Sequence, residues 1–249
     1  DRTCRRRRRH TNCHRVILHS RQNGVSRRIA LSVTALLAVV LLSACRVDSV
    51  VTLNVEPNGS GTLAVVTTVD AEVVARVPNI AQDLSFDDAK NAGWKVSEVG
   101  TTEEGGLQVR VAHSFANEEE ATVLLSQLSG EFGPFKNFSL LREGKDTDST
   151  WSLNGNLEVN GGLNAFADPA LLDLIGGTPY SQALAESNQD VGQAVSILFQ
   201  ANLPGKVTST NGTDNIGTLQ WNVTFDGSTQ SVSAVTQNTA VASTIARIF

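Results

Sequence analysis

The stretch VDSVVTLNVEPNGSGTLAVVTTVD, residues 47–70, predicts a β-hairpin. On both sides of the segment PNGSG, residues 57–61, apolar residues recur at every second position, which is the period of a β-strand. The proline, asparagine and glycines of that segment favour a tight turn. Because the alternation gathers apolar side chains on one face, the hairpin requires a second layer that covers this face.

Further helix and hairpin patterns follow along the chain. Helices are predicted over four segments, given with their N-cap residues: 70–84 with Asp70, ended or kinked at Pro78; 85–93 with Ser85, ended by Gly93; 117–130 with Asn117 and with Glu120 at the third helical position, ended by Gly130; and 168–177 with Asp168. Strands are predicted over a hairpin at 94–115 that turns at 103–106, over 136–143, 149–159 and 194–202, and over a last hairpin at 218–236 that turns at 226–228. The predicted fold class is α+β: a mainly antiparallel β-sheet built from hairpins, with helices packed on one face.

The charge of the chain is divided unevenly. Residues 1–44 contain ten arginines and one acid, Asp1, and carry a net charge of +9, whereas residues 45–249 contain ten basic and 24 acidic residues and carry −14. Nucleic-acid binding and adhesion to anionic headgroups both depend on lysine and arginine, so the acidic body argues against both. We therefore expect no nucleic-acid partner.

The segment SRRIALSVTALLAVVLLSAC, residues 26–45, has the organisation of an export signal. A short basic region with Arg27 and Arg28 precedes an apolar run of 16 residues, 29–44. This run is shorter than the roughly 20 residues that a membrane-spanning helix needs. We therefore interpret it as a signal peptide that is removed.

The position of this signal predicts a later start of translation. The chain contains no methionine, and valine codons can serve as start codons in bacteria. We therefore take Val25 as the initiator. On this interpretation residues 1–24 are a mis-annotated upstream extension, and residues 25–44 are the lipoprotein signal peptide.

The residues Leu42, Ser43, Ala44 and Cys45 end the apolar run in the pattern of a bacterial lipobox. The Cys45 thiol would receive diacylglycerol as a thioether, and a signal peptidase would cut between Ala44 and Cys45, where small side chains admit the scissile bond. Two or three acyl chains give stable anchoring, which one chain does not. We therefore expect a cell-envelope protein anchored by lipid to the outer face of the bacterial plasma membrane. Ordinary secretion with an unmodified Cys45 is the alternative.

The residues that remain after processing offer little for catalysis. His113 is the only histidine among them, and it lies in phase with Leu107 and Val109 on the apolar face of its strand. It is either a catalytic or ligand-sensing residue or, as we favour, a hydrogen-bonded histidine near the end of a core face. One histidine and no free cysteine exclude a Cys–His pair and disfavour a zinc site, and no GxSxG motif is present. We expect no catalytic residue, metal, cofactor or enzymatic activity.

Three segments resemble the actinobacterial LppM-type lipoprotein domain family: VDSVVTLNVEPNGSGTLAVVTTV, FKNFSLLREGKDTDSTWSLNGNLEV and LPGKVTSTNGTDNIGTLQWNVTF. The resemblance covers residues 45–235 and leaves 236–249 as a C-terminal tail. It is carried by turn glycines and strand patterns rather than by catalytic residues. It implies an α+β domain whose curved sheet and helices enclose an apolar space, and it implies binding of an amphiphilic envelope lipid or glycolipid.

Four residues of the hairpin predicted at 94–115 are candidates to line that space: Trp94, Val109, Val111 and Phe115. An apolar position on a strand suits a pocket wall and a filled core equally. The alternative to lipid binding is therefore a surface interaction or scaffold domain with a solid core and no small-molecule ligand. A hydrolase is a third interpretation, which the inventory of residues disfavours.

We expect Cys45→Ser to abolish both acylation and cleavage, because the thiol is the group that receives diacylglycerol. The protein would keep residues 25–44 and gain no acyl mass, which mass spectrometry of the intact protein measures. Ser43→Ala is the matched control, since it keeps a small residue at the cleavage site. A Cys45→Ser protein that is cut and fractionates like the wild type would contradict the lipobox.

Overall fold

The computed structural model describes residues 46–76, 79–128, 133–145, 147–159 and 194–239. All of them belong to one unit of the chain, Ala44–Phe249. Their strands are β1 (Val47–Val55), β2 (Gly61–Val69), β3 (Lys95–Val96), β4 (Gly100–Thr101), β5 (Leu107–Phe115), β6 (Phe135–Lys145), β7 (Asp148–Leu157), β8 (Val195–Asn202), β9 (Lys206–Thr210), β10 (Thr213–Asn215), β11 (Thr218–Asn222) and β12 (Gln230–Asn238). Their helices are α1 (Ala71–Arg76), α2 (Ile80–Asp83), α3 (Asp87–Asn91) and α4 (Glu118–Gln127).

The described strands form two sheets. Sheet A has eight strands in the order β10-β11-β8-β1-β2-β5-β3, and β4 pairs with β5 outside this path; sheet B has four strands in the order β6-β7-β12-β9. The strand pairs are antiparallel except β1 and β8, which run parallel. The predicted α+β class with mainly antiparallel pairing is confirmed, and so is the hairpin of β1 and β2. The division of the strands between two sheets was not part of the prediction.

Four aromatic rings join sheet A to sheet B. Phe199 on β8 is fully buried and lies edge-to-face against Phe135 and Phe138 of β6, with ring centroids 5.4 and 5.2 Å apart. Within sheet A, Phe199 stacks on Trp221 of β11 at 5.6 Å. Aromatic pairs of this kind contribute about 0.5–1.5 kcal/mol each beyond their burial. We call Phe135, Phe138, Phe199 and Trp221 the aromatic junction.

Helix α4 begins with the predicted capping pattern. The Asn117 side chain accepts a hydrogen bond from the Glu120 N–H at 2.9 Å, and the Glu120 carboxylate accepts one from the Ala116 N–H at 2.6 Å. The buried side chains of the helix are Ala121, Leu124 and Leu125. Because α4 contacts β6 of sheet B and also β2 and β5 of sheet A, it forms a second connection between the sheets. The stop predicted at Gly130 lies outside the described residues.

One prediction about a turn is wrong. Residues 226–228 do not close a hairpin, because β11 pairs with β8 and β10 in sheet A, whereas β12 pairs with β7 and β9 in sheet B. The turn itself forms, since Asp226 accepts hydrogen bonds from the Ser228 hydroxyl and N–H, and these bonds lower the pKa of its carboxyl group. The turn therefore carries the chain from one sheet to the other.

Two helices were predicted to begin between β2 and β3, with Asp70 and Ser85 as N-caps, and one of these two caps is correct. Asp70 caps α1 by accepting a hydrogen bond from the Val73 N–H at 2.9 Å. Ser85 does not cap α3, because the helix begins after Phe86, whose carbonyl accepts the bond from the Lys90 N–H. The N-terminus of α3 has no side-chain cap.

The rest of this region also departs from its prediction in part. Gly93 follows α3 with a φ of +89°, as expected of a residue that ends a helix. The first strand of the hairpin predicted at 94–115 is broken into the two short strands β3 and β4, which both pair with β5. Strands β9 and β10 were not predicted. Pro78 and the helix predicted at 168–177 lie outside the described residues.

We expect Phe199→Ala to destabilise the domain by about 3–5 kcal/mol, because it removes a fully buried ring and leaves a cavity between the sheets. Val123→Ala is the matched control: its side chain is 53% exposed on α4, and the expected change in the free energy of unfolding is within about 0.5 kcal/mol. Urea unfolding followed by circular dichroism measures both. Equal unfolding midpoints for the two variants would show that the aromatic junction does not hold the sheets together.

Candidate functional site

The candidate site lies on the core-facing side of sheet A. Strand side chains alternate between the two faces, so the register of pairing decides which ones stand side by side. Val51 of β1 is opposite Val65 of β2, Val65 is opposite Val111 of β5, and Val111 is opposite Val96 of β3. Four valines thus form one row across four strands. We call Val51, Val65, Val111 and Val96 the valine row.

Burial decreases along the valine row toward the edge of the sheet. Val51 is 4% exposed, whereas Val65, Val111 and Val96 are half-buried. In the neighbouring row of the same face, Leu53 and Leu63 are fully buried. The apolar surface of the core therefore continues outward along three valines that keep part of their surface accessible.

A pair of hydroxyl groups borders the valine row on one side. Ser49 of β1 and Thr67 of β2 are opposite each other in the register, and their side-chain oxygens are 3.0 Å apart. Both residues are half-buried. Val109, the residue opposite Thr67 on β5, is buried at 9% exposure. This margin combines an apolar wall with two hydroxyl groups that can donate or accept hydrogen bonds.

On the other side of the valine row, the row of Leu53 and Leu63 ends in His113, which is opposite Leu63. The imidazole is half-buried and meets the ring of Trp94 edge-on, with centroids 5.4 Å apart, and its Nδ1 is 2.6 Å from the Ser114 carbonyl oxygen. A Cβ at Gly93 would come within 2.9 Å of Nε2, so the glycine leaves room for the ring. These contacts agree with a packed, hydrogen-bonded histidine at the margin of the core.

The structure brings three of the four candidate lining residues together on one strand. Val109, Val111 and Phe115 share the core-facing side of β5, and Trp94 precedes β3. Trp94 and Phe115 are 8% and 4% exposed and belong to the core cluster, while Val111 is half-buried against it. That these residues line a ligand site stays a prediction.

Sequence reasoning missed several members of the site. The alternation in β1, β2 and β3 is visible in the sequence and places their apolar residues on one face. It does not tell which residues stand opposite one another, because register depends on pairing between distant segments. The members without a predicted role in ligand binding are Ser49, Val51, Val65, Thr67 and Val96.

The site has an uncharged lining. Neither the valine row nor the hydroxyl pair contains an ionisable side chain. Within the described ranges, no three His, Cys, Asp or Glu side chains come close enough to hold a metal ion. A helix with the length and apolar character of a membrane span does not occur among the described residues. An arrangement of this kind can hold an apolar chain and hydrogen-bond a hydroxyl group beside it.

Comparison with known proteins gives one match. No family model matches the chain, and no curated protein sequence matches it significantly. Among solved structures, the chain is similar to the NMR structure of the folded domain of the LppM protein of Mycobacterium tuberculosis, with 19% sequence identity and a TM-score of 0.47. The similarity covers 79% of this chain and 92% of that chain.

Proposed function

We propose that this protein is a lipid-anchored protein of the cell envelope, held at the outer face of the plasma membrane, whose domain binds the apolar chain of an amphiphilic lipid or glycolipid along the valine row. The observation that carries the proposal is the partial exposure of Val65 and Val111 on the core-facing side of β2 and β5, which both have a paired strand on each side. A lipid anchor at Cys45 would hold the domain where such lipids occur.

Energetics favour an apolar ligand at this surface. Burial of apolar area is worth about 25 cal/mol per Å², or about 0.8 kcal/mol for each CH₂ group. A hydrocarbon chain laid on the valine row would bury methylene groups and valine methyl groups together. Because the half-buried valines continue the row of the buried Phe199 and Val51, a ligand there would extend the core of the domain.

The polar margin suggests the kind of headgroup. The hydroxyl groups of Ser49 and Thr67 lie beside the valines without a charged side chain among them. A glycerol or sugar hydroxyl can hydrogen-bond to such a pair, whereas a phosphate would find no cationic partner there. We therefore favour an uncharged polar headgroup. Binding of this kind requires no catalytic residue.

Anchoring depends on the acyl chains rather than on charge. The net charge of −14 over residues 45–249 opposes adhesion to anionic headgroups. Two or three acyl chains on Cys45 supply enough buried CH₂ groups for stable attachment. The domain would thus stay at the membrane while its apolar surface remains free for a ligand.

We expect an acyl-free chain of residues 46–249 to bind a fluorescent alkyl glucoside, whose sugar headgroup is uncharged, and we expect Val111→Phe to weaken this binding about tenfold or more, a loss of about 1.4 kcal/mol. The larger ring would occupy space above the valine row. Val123→Phe makes the same change at a side chain that is 53% exposed on α4, and the dissociation constant should not change. Fluorescence titration below the micelle concentration of the probe measures both.

Two outcomes would count against this function. Absence of saturable binding by the unsubstituted chain would favour an interaction or scaffold domain without a ligand. Equal affinities of Val111→Phe and Val123→Phe would place any bound lipid elsewhere. Circular dichroism of each variant verifies that the fold is retained.

A further inference from the structure

The first described residue of the domain is fixed to the body by two hydrogen bonds. The Arg46 N–H donates to the Asp70 carboxylate at 2.6 Å, and the Asp70 N–H donates to the Arg46 carbonyl at 3.0 Å. Arg46 follows Cys45 directly, so the Cα atoms of the two residues are about 3.8 Å apart. No linker therefore separates the proposed site of acylation from sheet A.

Asp70 also fixes the start of α1. One carboxylate oxygen binds Arg46, and the other accepts the hydrogen bond from the Val73 N–H. The turn of residues 102–106 packs at the same place, because a Cβ at Gly106 would meet the Val69 carbonyl oxygen at 2.3 Å. We call Arg46, Asp70, α1 and the turn 102–106 the anchor end of the domain.

Helix α1 brings apolar side chains to the anchor end without burying them. None of its residues is buried, and Val73 and Val74 are both half-buried. They lie within about one helical turn of Asp70, since a turn takes 3.6 residues. The acyl chains on Cys45 would therefore enter the membrane within a few residues' reach of these two valines.

Charge does not draw the anchor end to lipid. Its two arginines are paired within the chain, Arg46 with Asp48 at 2.8 Å and Arg76 with Glu72 at 2.7 Å. The turn 102–106 adds two exposed acids, Glu103 and Glu104. A contact between this end and a membrane would depend on the acyl chains and on apolar side chains.

From these observations we infer that the anchor end rests on the outer leaflet that holds the Cys45 acyl chains, with Val73 and Val74 at the boundary between headgroups and acyl chains. The inference rests on the proposed lipid anchor. It also gives the candidate site a direction: Ser49 is three residues from Arg46, so the hydroxyl margin lies on the membrane side of the valine row, about 10 Å from the anchor end. A lipid from the leaflet would reach that margin first.

The opposite end of sheet A carries a natural reference position. Ile216 is 100% exposed in the turn between β10 and β11. Leu219 of β11 pairs with Ala201 of β8, and Ala201 pairs with Leu53 near the C-terminal end of β1. The turn that precedes β11 therefore lies beyond the C-terminal end of β1. Along the strand direction it is about 27 Å or more from Val47. A domain standing on its anchor end would hold Ile216 away from the membrane.

A single labelled thiol tests this orientation, because the processed chain contains no cysteine besides Cys45. Ala75→Cys places a thiol on the exposed side of α1, and Ile216→Cys is the matched control at the far end. Each acylated variant is labelled with a fluorophore and reconstituted in phosphatidylcholine vesicles that contain a lipid-borne quencher. We expect several-fold stronger quenching at position 75 than at position 216. Aqueous iodide should show the reverse order.

A separate variant tests whether Asp70 holds the domain in this orientation. Asp70→Ala removes the acceptor of both the Arg46 and the Val73 hydrogen bonds, so the domain should swing on its anchor. We expect lipid quenching at position 75 to fall toward the value at position 216. Asp226→Ala removes a turn carboxylate of similar bonding outside the anchor end and should leave the difference unchanged. Circular dichroism verifies that both variants fold.

Each outcome bears on one of the two proposals. Equal quenching at positions 75 and 216 in an acylated chain overturns the orientation and leaves the lipid anchor intact. Quenching at position 75 that requires anionic phosphatidylglycerol overturns the apolar contact. A mature chain whose mass shows no acyl chains overturns the proposed anchor, and the orientation with it.

Discussion

The packing of Phe199 between the two sheets is the constraint on which the rest of this structure depends. Its ring touches two phenylalanines of sheet B and one tryptophan of sheet A, so both sheets must approach at this point. A glycine of sheet B makes room for one of these phenylalanine rings. A Cβ at Gly155 of β7 would come within 2.6 Å of the Phe138 ring, so glycine there admits the ring against the strand. The Phe138 ring therefore lies flat against β7 beneath Phe199.

The core buries only part of the face of sheet A, and this explains where the candidate site lies. One row of sheet A runs from Trp221 through Phe199 to Val51 and then along the rest of the valine row. The first three residues of this row are between 0% and 4% exposed, and the following valines are half-buried. The same row of side chains is thus core at one end and accessible apolar surface at the other.

The sequence predicted the elements that local signals specify and failed where distant segments decide. Period-two alternation around PNGSG identified β1 and β2, and the Asn117 and Glu120 pattern identified the start of α4, because each signal lies within the element that it forms. The parallel pairing of β1 with β8 has no local signal. The same holds for the last two strands, where a well-formed Asp226 turn suggested a hairpin but packing around Phe199 and Trp221 placed β11 in sheet A. Likewise, Val65 and Val111 are each visible as apolar positions, and only the register makes them neighbours.

Strand β1 connects every part of the proposed function in the order of the chain. It begins at the anchor end after Arg46, passes the hydroxyl pair at Ser49, contributes Val51 to the valine row and enters the core at Leu53. Because strand residues advance by about 3.3 Å each, these four positions are spread over about 23 Å in a fixed direction. A rigid strand without a linker imposes its direction on the whole domain. If Cys45 carries the proposed acyl chains, the polarity of the candidate site relative to the membrane would follow from the same residues that form the site, so that anchoring and lipid binding would be two consequences of one strand.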